Sequence, residues 1–438
     1  MNHIVVVGHG MAGARVAAEL RARSDVKVTV FGDEPERAYN RILLSAVLAG
    51  KASEAEVAMV EAAERGVDVR SGHRVVALDP AARRIAVRGP HGEEGVSYDH
   101  LILATGSRPF VPPLSGLAPD RLPRRVAVFR TLADCRRILA VAENARSALV
   151  LGGGLLGLEA ARGLAGRGLR VQVVHPRGRL LERLIDDGAG AVLVDTLTRL
   201  GIVTHLDSAA TALAADDDQV TLVLADGRRL TADLLVLACG VRPETGLAAA
   251  AGLRVRRGVV VDARLRTSDP HVSAIGDCAE FGDEVSGLVA PAWEQARVLA
   301  RVLTDDPLAR YQPPPTVTRL KADGIDLAAM GSLEAGSEQL TFADPARGTY
   351  ARIAIDVDRL TGAVLLGDNP TVGTLIQLFD RGAPVPADRR SLLLGRPVGG
   401  PATLAAEPSP ALMPDAATVC RCNNVTKGDL VSRWRSGA

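Results

Sequence analysis

Two glycine-rich turns, at residues 8–13 and 152–157, constrain the fold of this chain more than any other feature. The first reads Gly8-His9-Gly10-Met11-Ala12-Gly13 and the second reads Gly152-Gly153-Gly154-Leu155-Leu156-Gly157. Each follows a short apolar run and opens a segment with helical spacing, which is the strand–turn–helix context of a dinucleotide-binding βαβ unit. In such a turn the first glycine makes the bend, the second admits a pyrophosphate and the third lets helix and strand pack closely. The pair predicts an α/β fold with two Rossmann-like dinucleotide-binding domains.

Composition argues against several other classes of protein. The 438 residues carry a formal net charge of +1 and only 3% aromatic residues, so neither nucleic acid nor an anionic membrane surface is expected as a partner. No uncharged apolar run reaches membrane-spanning length, and the five cysteines do not form a disulfide framework. Met1 leads directly into the first strand, which leaves no room for a signal peptide. These features predict a cytoplasmic protein.

The first glycine turn is followed by candidate contacts for an adenosine ribose and a pyrophosphate. Asp33 lies twenty residues beyond Gly13, where a carboxylate accepts hydrogen bonds from a ribose, although a solvated acidic turn is the alternative. Glu34 is its neighbour. Arg41 is a candidate for the pyrophosphate or for a surface salt bridge. No cysteine precedes Cys135, so a redox-active thiol beside a flavin is not expected.

Two later segments are expected to return the chain to the same cofactor. A buried strand ends at Ala104-Thr105-Gly106, which suits a chain that passes close over a cofactor and then leaves the domain. Asp277 follows a strand and Gly276, where its carboxylate is a candidate acceptor for a ribityl hydroxyl. The helix that begins after it, through Trp293, is expected to approach a flavin ring.

The second glycine turn leads to a strand that ends without an acid. His175 follows this strand, with Arg177 and Arg179 close behind. An acid there favours NAD whereas arginine suits a 2′-phosphate, so these residues leave NADH and NADPH both open. Glu159, two residues into the helix, either reaches the nicotinamide or simply complements the helix dipole. Gly240 lies at the crossover that returns the chain to the first domain.

Strand pattern and proline-rich stretches divide the chain into domains. The predicted units are a dinucleotide-binding domain in two parts (1–112 and 246–312), a second dinucleotide-binding domain (113–245), a small α/β interface domain (313–395), a flexible linker (396–414) and a terminal segment (415–438). The terminal segment carries Cys420 and Cys422, whose Cys-x-Cys spacing suggests metal or cluster ligation. Iron–sulfur clusters need four thiolates as a rule, so the chain supplies half of such a site.

The order of these motifs resembles that of the pyridine nucleotide-disulfide oxidoreductase superfamily. Within it, five motifs are similar to the large subunit of assimilatory NAD(P)H-dependent nitrite reductases, and the resemblance covers essentially the whole chain. They are Tyr39 to Ser45, Gly152 to Ala160, Val174-His175, Leu320 to Asp326 and Cys420 to Val425. The last is similar to the start of a bacterioferritin-associated-ferredoxin-like [2Fe-2S] module, which in that family continues to a second cysteine pair that this sequence lacks.

The resemblance implies two cofactors, FAD and NAD(P)H, with NADH favoured as the donor. A [2Fe-2S] cluster on Cys420 and Cys422 is implied only if the missing cysteines are supplied. The residues implied for FAD are Gly8, Gly10, Met11, Ala12, Gly13, Asp33, Glu34, Arg41, Ser45, Ala104, Thr105, Gly106, Gly276, Asp277 and Trp293. Those implied for the nicotinamide nucleotide are Gly152, Gly154, Leu155, Leu156, Gly157, Glu159, His175 and Gly240. No catalytic side chain is implied, because the cofactors carry the chemistry.

The function expected from the resemblance is an FAD-dependent NAD(P)H oxidoreductase that passes electrons to a downstream redox centre. This would be the electron-input part of an assimilatory nitrite reductase, whose sirohaem and iron–sulfur region is absent from this sequence. Two alternatives stay open: a rubredoxin or ferredoxin reductase that uses a separate redox partner protein, and a nucleotide-binding scaffold or sensor with negligible turnover. A homodimer through the C-terminal domain is a further expectation.

Overall fold

The computed structural model describes residues 3–59, 66–395, 414–415, 418–420 and 425–436. None of the helices in these ranges is both long and apolar enough to cross a lipid bilayer.

The first domain begins with a βαβ unit around the first glycine turn. Its opening strand is buried along almost its whole length, as a central parallel strand covered on both faces should be. The elements of this part are β1 (His3–Val7), α1 (Met11–Arg23), β2 (Lys27–Gly32), α2 (Leu44–Leu48), β3 (Asp68–Ser71), β4 (Arg74–Asp79), β5 (Arg84–Gly89), β6 (Gly92–Ser97), β7 (His100–Leu103) and β8 (Ser107–Pro109).

The second domain repeats the same plan around the second glycine turn. Its elements are β9 (Val126–Val128), α3 (Leu132–Ala142), β10 (Ser147–Leu151), α4 (Leu155–Gly166), β11 (Arg170–Val174), α5 (Asp187–Arg199), β12 (Ile202–His205), β13 (Ala210–Ala215), β14 (Val220–Leu224), β15 (Arg229–Ala232) and β16 (Leu234–Leu237).

The chain then returns to complete the first domain. The returning elements are β17 (Val241–Pro243), α6 (Gly246–Ala250), β18 (Val259–Val261), β19 (Val272–Ala274), β20 (Ala279–Phe281) and α7 (Val289–Leu303). The first parallel sheet has the order β3-β2-β1-β7-β19, and the second has the matching order β12-β11-β10-β16-β9. Each domain also carries a three-stranded antiparallel sheet, β4-β5-β6 in the first and β13-β14-β15 in the second. Two α/β domains of one plan, the second inserted in the first, confirm the fold expected from the sequence.

A third unit packs against the second domain. Its five-stranded antiparallel sheet has the order β21-β22-β25-β24-β23. One face, through Leu320 and Val364, joins the core of the second domain, while Ile353 and Leu365 pack with Leu375 in a separate core. The sequence predicts four strands here, at 317–320, 327–330, 350–355 and 363–367, and the edge strand β23 is an addition to them. The elements are β21 (Val317–Ala322), β22 (Ile325–Gly331), β23 (Glu338–Asp344), β24 (Thr349–Asp356), β25 (Arg359–Leu366), α8 (Val372–Arg381) and α9 (Ser391–Leu394).

Polar side chains fix this third unit in place. The Asp186 carboxylate, at the N-terminus of α5, accepts hydrogen bonds from the Tyr350 hydroxyl at 2.6 Å and from the Arg352 guanidinium at 2.7 Å. The turn between β21 and β22 carries Asp323, whose carboxylate pairs with Lys51 of the first domain at 2.7 Å. The backbone carbonyl of Asp323 accepts a hydrogen bond from the Arg162 guanidinium of the second domain, also at 2.7 Å. One turn therefore contacts both nucleotide domains.

The last described elements are short: β26 (Thr418–Cys420), β27 (Val425–Thr426) and α10 (Lys427–Arg435). Thr426 and Asp429 form a capping box at the start of α10. The linker predicted at 396–414 lies outside the described residues apart from Pro414, and so does Cys422.

Candidate functional site

The first glycine turn has the geometry of a nucleotide cradle. Gly8 has a φ of +112°, and a Cβ atom there would overlap the carbonyl oxygen of Ala104. A Cβ on Gly13 would overlap the carbonyl oxygen of Gly8 in the same way. Above Gly10 the space is open, because the nearest atoms to a methyl group added there would belong to the Arg41 side chain at 3.9 Å. The roles that the sequence assigned to the three glycines therefore match the space around each of them.

The second glycine turn repeats this geometry. Gly152 has a φ of +120° and lies against the carbonyl oxygen of Ala238, while a Cβ on Gly157 would overlap the carbonyl oxygen of Gly152. Apart from the two neighbouring residues of the chain, no described residue lies within 4 Å of the position that a Cβ on Gly154 would take. In each domain the second glycine also precedes the helix as its N-cap, and no side chain of the described residues caps either helix. The first N–H groups of α1 and α4 are thus left for a ligand.

A two-stranded ribbon connects the two cradles. Beyond Ala104 the chain passes Gly106 into β8, and beyond Ala238 it passes Gly240 into β17. The strands β8 and β17 pair antiparallel, and the hydroxyl of Thr105 donates to the Glu244 carbonyl at 2.7 Å. The two crossover segments that line the cradles are therefore held in one ribbon.

An ion pair between the domains lies beside this ribbon. Asp277 sits in a short helical turn after β19, and its carboxylate accepts hydrogen bonds from Arg130 at 2.6 Å and from the Ser107 hydroxyl at 2.8 Å. Arg130 stands where the chain enters α3 of the second domain, and it also donates to Ser107 at 2.7 Å. The sequence pointed to Asp277 and to the segment that contains Ser107, but it did not point to Arg130 or to a contact among the three. Their importance comes from three distant chain segments meeting, and no local motif marks it.

A second polar cluster follows β2. The Tyr39 hydroxyl donates to the Glu34 carboxylate at 2.6 Å and accepts from the backbone N–H of Leu132 at 3.1 Å. Arg41 forms an ion pair with Glu34, and it donates to the carbonyl of Arg130 at 3.2 Å. Burial, with the Glu34 carboxylate close by, raises the pKa of Tyr39, which keeps its hydroxyl protonated as a donor. The cluster ties the end of β2 to the entry of the second domain.

The two acids predicted near the ribose are placed differently. Glu34 lies in the cluster just described, whereas the Asp33 side chain is exposed and its carboxylate is 4.0 Å from Arg74. Of the two acids, Glu34 is the one that contacts Arg41.

Helix α7 is attached to the first cradle, as its predicted approach to the cofactor requires. The indole N–H of Trp293 donates to the carbonyl of Met11 at 3.2 Å, and the Gln295 side chain accepts from the Gly276 N–H at 2.7 Å. A Cβ on Gly276 would lie 3.1 Å from the Ala12 side chain, so the turn that carries Asp277 packs directly on α1. Ser45 is buried on α2.

The second site contains the buried imidazole of His175, which directly follows β11. Its Nδ1 accepts a hydrogen bond from the Gly153 N–H at 3.1 Å, and its Nε2 lies 3.2 Å from the Glu182 carboxylate. Glu159, Leu155 and Leu156 lie half-buried in the first turns of α4. No sequence pattern pointed to Glu182, which lies seven residues beyond His175.

The described cysteine side chains are not poised for thiolate chemistry. Burial raises the pKa of Cys135 and of Cys239 to about 11, and it also raises the pKa of the fully buried Cys278. These thiols are protonated at neutral pH and are poor nucleophiles. Across the described residues, no group of three or more His, Cys, Asp or Glu side chains is arranged to hold a metal ion. The predicted ligand pair is only partly covered, because Cys420 ends β26 and Cys422 is not described.

Comparison with known proteins identifies the family. The profile of the pyridine nucleotide-disulphide oxidoreductases matches residues 2–296. The chain belongs to this family. The resemblance inferred from the motifs is thereby confirmed, and membership implies a flavin and a nicotinamide nucleotide as cofactors of an oxidoreductase. A second profile, the rubredoxin NAD+ reductase C-terminal domain, matches residues 316–382, which is most of the third unit.

Two curated relatives and one solved structure extend the comparison. Nitrite reductase [NAD(P)H] of Bacillus subtilis (strain 168) is 34% identical over 98% of this chain and 53% of that protein. The assimilatory nitrate reductase electron transfer subunit of the same organism is 32% identical over 98% of this chain and 55% of that protein. The covalent putidaredoxin reductase–putidaredoxin complex contains a chain with a TM-score of 0.79 and 27% identity, over 87% of this chain and 94% of that one. This family member thus spans about half the length of the curated relatives.

Proposed function

We propose that this chain takes a hydride from NAD(P)H onto bound FAD and passes the electrons to an acceptor, as the electron-input part of an assimilatory nitrite reductase. The observation that carries the proposal is the pair of equivalent cradles joined by the ribbon of β8 and β17. The nitrite reductase of Bacillus subtilis, which is similar along 98% of this chain, supports nitrite reductase as the enzyme to which the proposed part belongs.

The first cradle fits FAD. Open space above Gly10 and the uncapped start of α1 suit a pyrophosphate. We assign Glu34, which follows β2 beside Arg41, to the adenosine ribose. We assign Asp277 as the acceptor for a ribityl hydroxyl, and Arg130 supplies positive charge beside it. The further residues proposed for this site are Gly8, Met11, Ala12, Gly13, Asp33, Arg41, Ser45, Ala104, Thr105, Gly106, Gly276 and Trp293.

The second cradle fits the nicotinamide nucleotide. Open space above Gly154 and the uncapped start of α4 suit its pyrophosphate. Glu159 is placed in the first turns of α4, on the helix that the pyrophosphate would approach. The further residues proposed are Gly152, Leu155, Leu156, Gly157, His175 and Gly240, and NADH is the proposed donor.

The protein's part in this reaction is to bind and orient. FAD, when bound, accepts a hydride from the nicotinamide and releases the electrons to the acceptor. The chain holds the two nucleotides in adjoining domains, and the ion pair of Arg130 with Asp277 fixes the entry of one domain against the other. No side chain has to move a proton for the hydride step, so we assign no catalytic residue.

The acceptor is proposed to lie beyond the described residues. Cys420 and Cys422 would provide two of four thiolates for a [2Fe-2S] cluster, with two more supplied from elsewhere in a longer protein or a partner. The greater length of the curated relatives supports this arrangement.

A spectroscopic experiment tests the hydride step. The purified chain, loaded with FAD under anaerobic conditions, should lose its yellow absorbance within seconds of adding NADH. Persistent colour with stoichiometric bound FAD would refute hydride transfer. Turnover of NADH with an artificial one-electron acceptor distinguishes an enzyme from a sensor, since enzymes typically reach about 10 per second. A rate below about one per minute would favour the sensor.

A second candidate function is the reduction of a separate carrier protein. The match of residues 316–382 to the rubredoxin NAD+ reductase C-terminal domain and the likeness to putidaredoxin reductase favour it. Stimulation of NADH oxidation by an added small iron–sulfur protein, without any sirohaem protein, would support this candidate over the first.

A further inference from the structure

The second nucleotide site lacks an acid where the first has one. In the first domain the N–H of Gly8 donates to the carbonyl of Phe31, and in the second the N–H of Gly152 donates to the carbonyl of Val174. These matching bonds align the two domains residue by residue. Glu34, three residues beyond Phe31, then corresponds to Arg177.

The alignment also reveals a reciprocal exchange of glycine and histidine. In the first domain histidine stands in the turn (His9) and glycine follows the strand (Gly32), whereas in the second Gly153 is in the turn and His175 follows the strand. A Cβ on Gly32 would lie 2.7 Å from the Cβ of His9, and a Cβ on Gly153 would lie 2.9 Å from the Cγ of His175. In each domain an imidazole therefore lies between the turn and the end of the strand. In the first domain it belongs to the turn, and in the second it belongs to the residue that follows the strand.

In the second domain this imidazole connects the turn to a carboxylate. Because Nδ1 of His175 accepts from the Gly153 N–H, the neutral ring carries its proton on Nε2. A carboxylate oxygen of Glu182 lies 3.2 Å from Nε2, so the carboxylate stands beside the ring, but the two atoms do not form a hydrogen bond. His175 is 6% exposed, so the ring is a fixed spacer between the turn and Glu182.

The loop that carries Glu182 is anchored from both sides. The N–H of Leu181 donates to the Gly153 carbonyl at 3.0 Å, and the Arg179 guanidinium donates to the Glu182 carbonyl at 3.0 Å. Arg179 also forms an ion pair with Asp187 at the start of α5. This arginine, which the sequence offered as a partner for a 2′-phosphate, is therefore used to hold the loop.

We propose that Glu182 is the carboxylate that binds the adenosine ribose of NADH and selects it over NADPH. The inference rests on the proposed function, and it names the donor specificity of the same site. The side chain of Glu182 remains 38% exposed beside the turn, which leaves its carboxylate accessible to ribose hydroxyls. A carboxylate accepts hydrogen bonds from the 2′- and 3′-hydroxyls of NADH, whereas it repels the 2′-phosphate of NADPH.

Arg177 would act against this preference for NADH. Its side chain is exposed, and it stands at the position that aligns with Glu34. Its charge would favour a 2′-phosphate. The proposal holds that Glu182 outweighs it, because its loop is held to the turn by a backbone hydrogen bond and its carboxylate lies 3.2 Å from Nε2 of the buried His175. Replacing Arg177 should then mainly reduce whatever activity exists with NADPH.

The test compares the wild type with Glu182→Gln, using Glu143→Gln as the matched control on an exposed acid at the end of α3. The substrates are NADH, NADPH and reduced nicotinamide 2′-deoxyadenosine dinucleotide, with saturating artificial acceptor and excess FAD. In Glu182→Gln, kcat/KM for NADH should fall about tenfold through KM, as a charge-assisted hydrogen bond becomes neutral, with kcat unchanged. The kcat/KM for NADPH should rise, and Glu143→Gln should leave both values unchanged.

The 2′-deoxy substrate makes the assignment specific. Loss of the 2′-hydroxyl should cost the wild type about tenfold in kcat/KM and should cost Glu182→Gln less than about twofold, because the neutral amide makes only a weak hydrogen bond to this hydroxyl. An equal penalty in both proteins, or an unchanged ratio of NADH to NADPH in Glu182→Gln, would overturn the proposal. If the wild type itself fails to oxidise either nucleotide while binding FAD, the proposed function fails first. Titration of NAD⁺ and NADP⁺ against the FAD-loaded wild type and variant then still decides the role of Glu182.

Discussion

Replacing Tyr39 with phenylalanine should weaken the junction between the two nucleotide domains by an amount that the structure allows us to work out. The Tyr39 hydroxyl takes part in three hydrogen bonds, with the Glu34 carboxylate at 2.6 Å, the Arg41 guanidinium at 2.9 Å and the Leu132 N–H at 3.1 Å. A neutral hydrogen bond contributes about 1 kcal/mol net, and one to a charged group about 1.5–3 kcal/mol. Because Glu34 and Arg41 are partly exposed, we take the low end and expect a loss of about 2–4 kcal/mol.

The chain offers a matched control in Tyr98. This tyrosine is also buried, but its hydroxyl has no hydrogen-bond partner among the described residues. Tyr98→Phe removes the same atom without breaking a bond, so the free energy of unfolding should stay the same or rise by about 1 kcal/mol. The two substitutions are chemically identical, which leaves the environment of the hydroxyl as the difference between them.

Two measurements check this prediction. Urea unfolding followed by circular dichroism gives the free energy of unfolding of both variants, and hydrogen exchange reports on the N-terminus of α3. In Tyr39→Phe the Leu132 amide should exchange about tenfold faster or more, while Tyr98→Phe should leave it unchanged. If the two variants differ by less than about 0.5 kcal/mol in stability, the Tyr39 network does not hold the domains together.

Three further predictions concern other parts of the molecule. Gly152→Ala should destabilise the fold by more than about 3 kcal/mol, because at a φ of +120° the new methyl group would overlap the Ala238 carbonyl. Gly154→Ala should change the free energy of unfolding by no more than about 1 kcal/mol, yet it should raise the KM for NADH about tenfold. Equal melting temperatures for the two variants would contradict this prediction. Arg130→Gln should weaken FAD binding about tenfold or more in a fluorescence titration, because it leaves the Asp277 carboxylate without its cation, and an unchanged Kd would show that the pair does not shape the site. Burial lowers the pKa of His100 to about 4, whereas a histidine in an unfolded chain has a pKa of about 6.5. Because the unfolded state takes up a proton at the higher pH, the folded state loses stability as the pH falls from about 6.5 to 4. His100→Gln should remove about 2 kcal/mol of that loss in urea titrations at pH 7 and pH 4.5, and identical pH profiles would refute it.

Local sequence predicted the parts of the fold whose physics is local. Each cradle requires a first glycine with a positive φ and a third glycine packed against a carbonyl oxygen. Both requirements are met within six consecutive residues, so the sequence pattern reveals them. The sequence could also identify Asp277 as a candidate site residue, because it directly follows a strand and a glycine. Arg130 was not, because its partner is 147 residues away and only the insertion of one domain in the other brings the two together. The placement of Glu34 rather than Asp33 in the polar cluster likewise depended on Tyr39 and Arg41.

The third unit shows a different limit. The edge strand β23 has only one partner strand, and most of its side chains are exposed, so it lacks the apolar signature of the buried strands. The role of Glu182 was hidden for a related reason. An acid at the end of the strand is expected at a fixed number of residues after the glycines. An acid that lies on a loop has no such fixed separation along the sequence, so the motif does not indicate it.

The duplication of the cradles has a consequence for how donor preference changes over evolutionary time. Because the two domains share the backbone of the turn and its three equivalent glycines, neither the turn nor the pyrophosphate that it would bind distinguishes a flavin from a nicotinamide nucleotide. Discrimination must then reside in a few side chains around the sugar, some of them exposed ones whose substitution leaves the packed interior unchanged. A population of such proteins could therefore drift between reduced pyridine nucleotides through one or two surface substitutions, with little cost to folding.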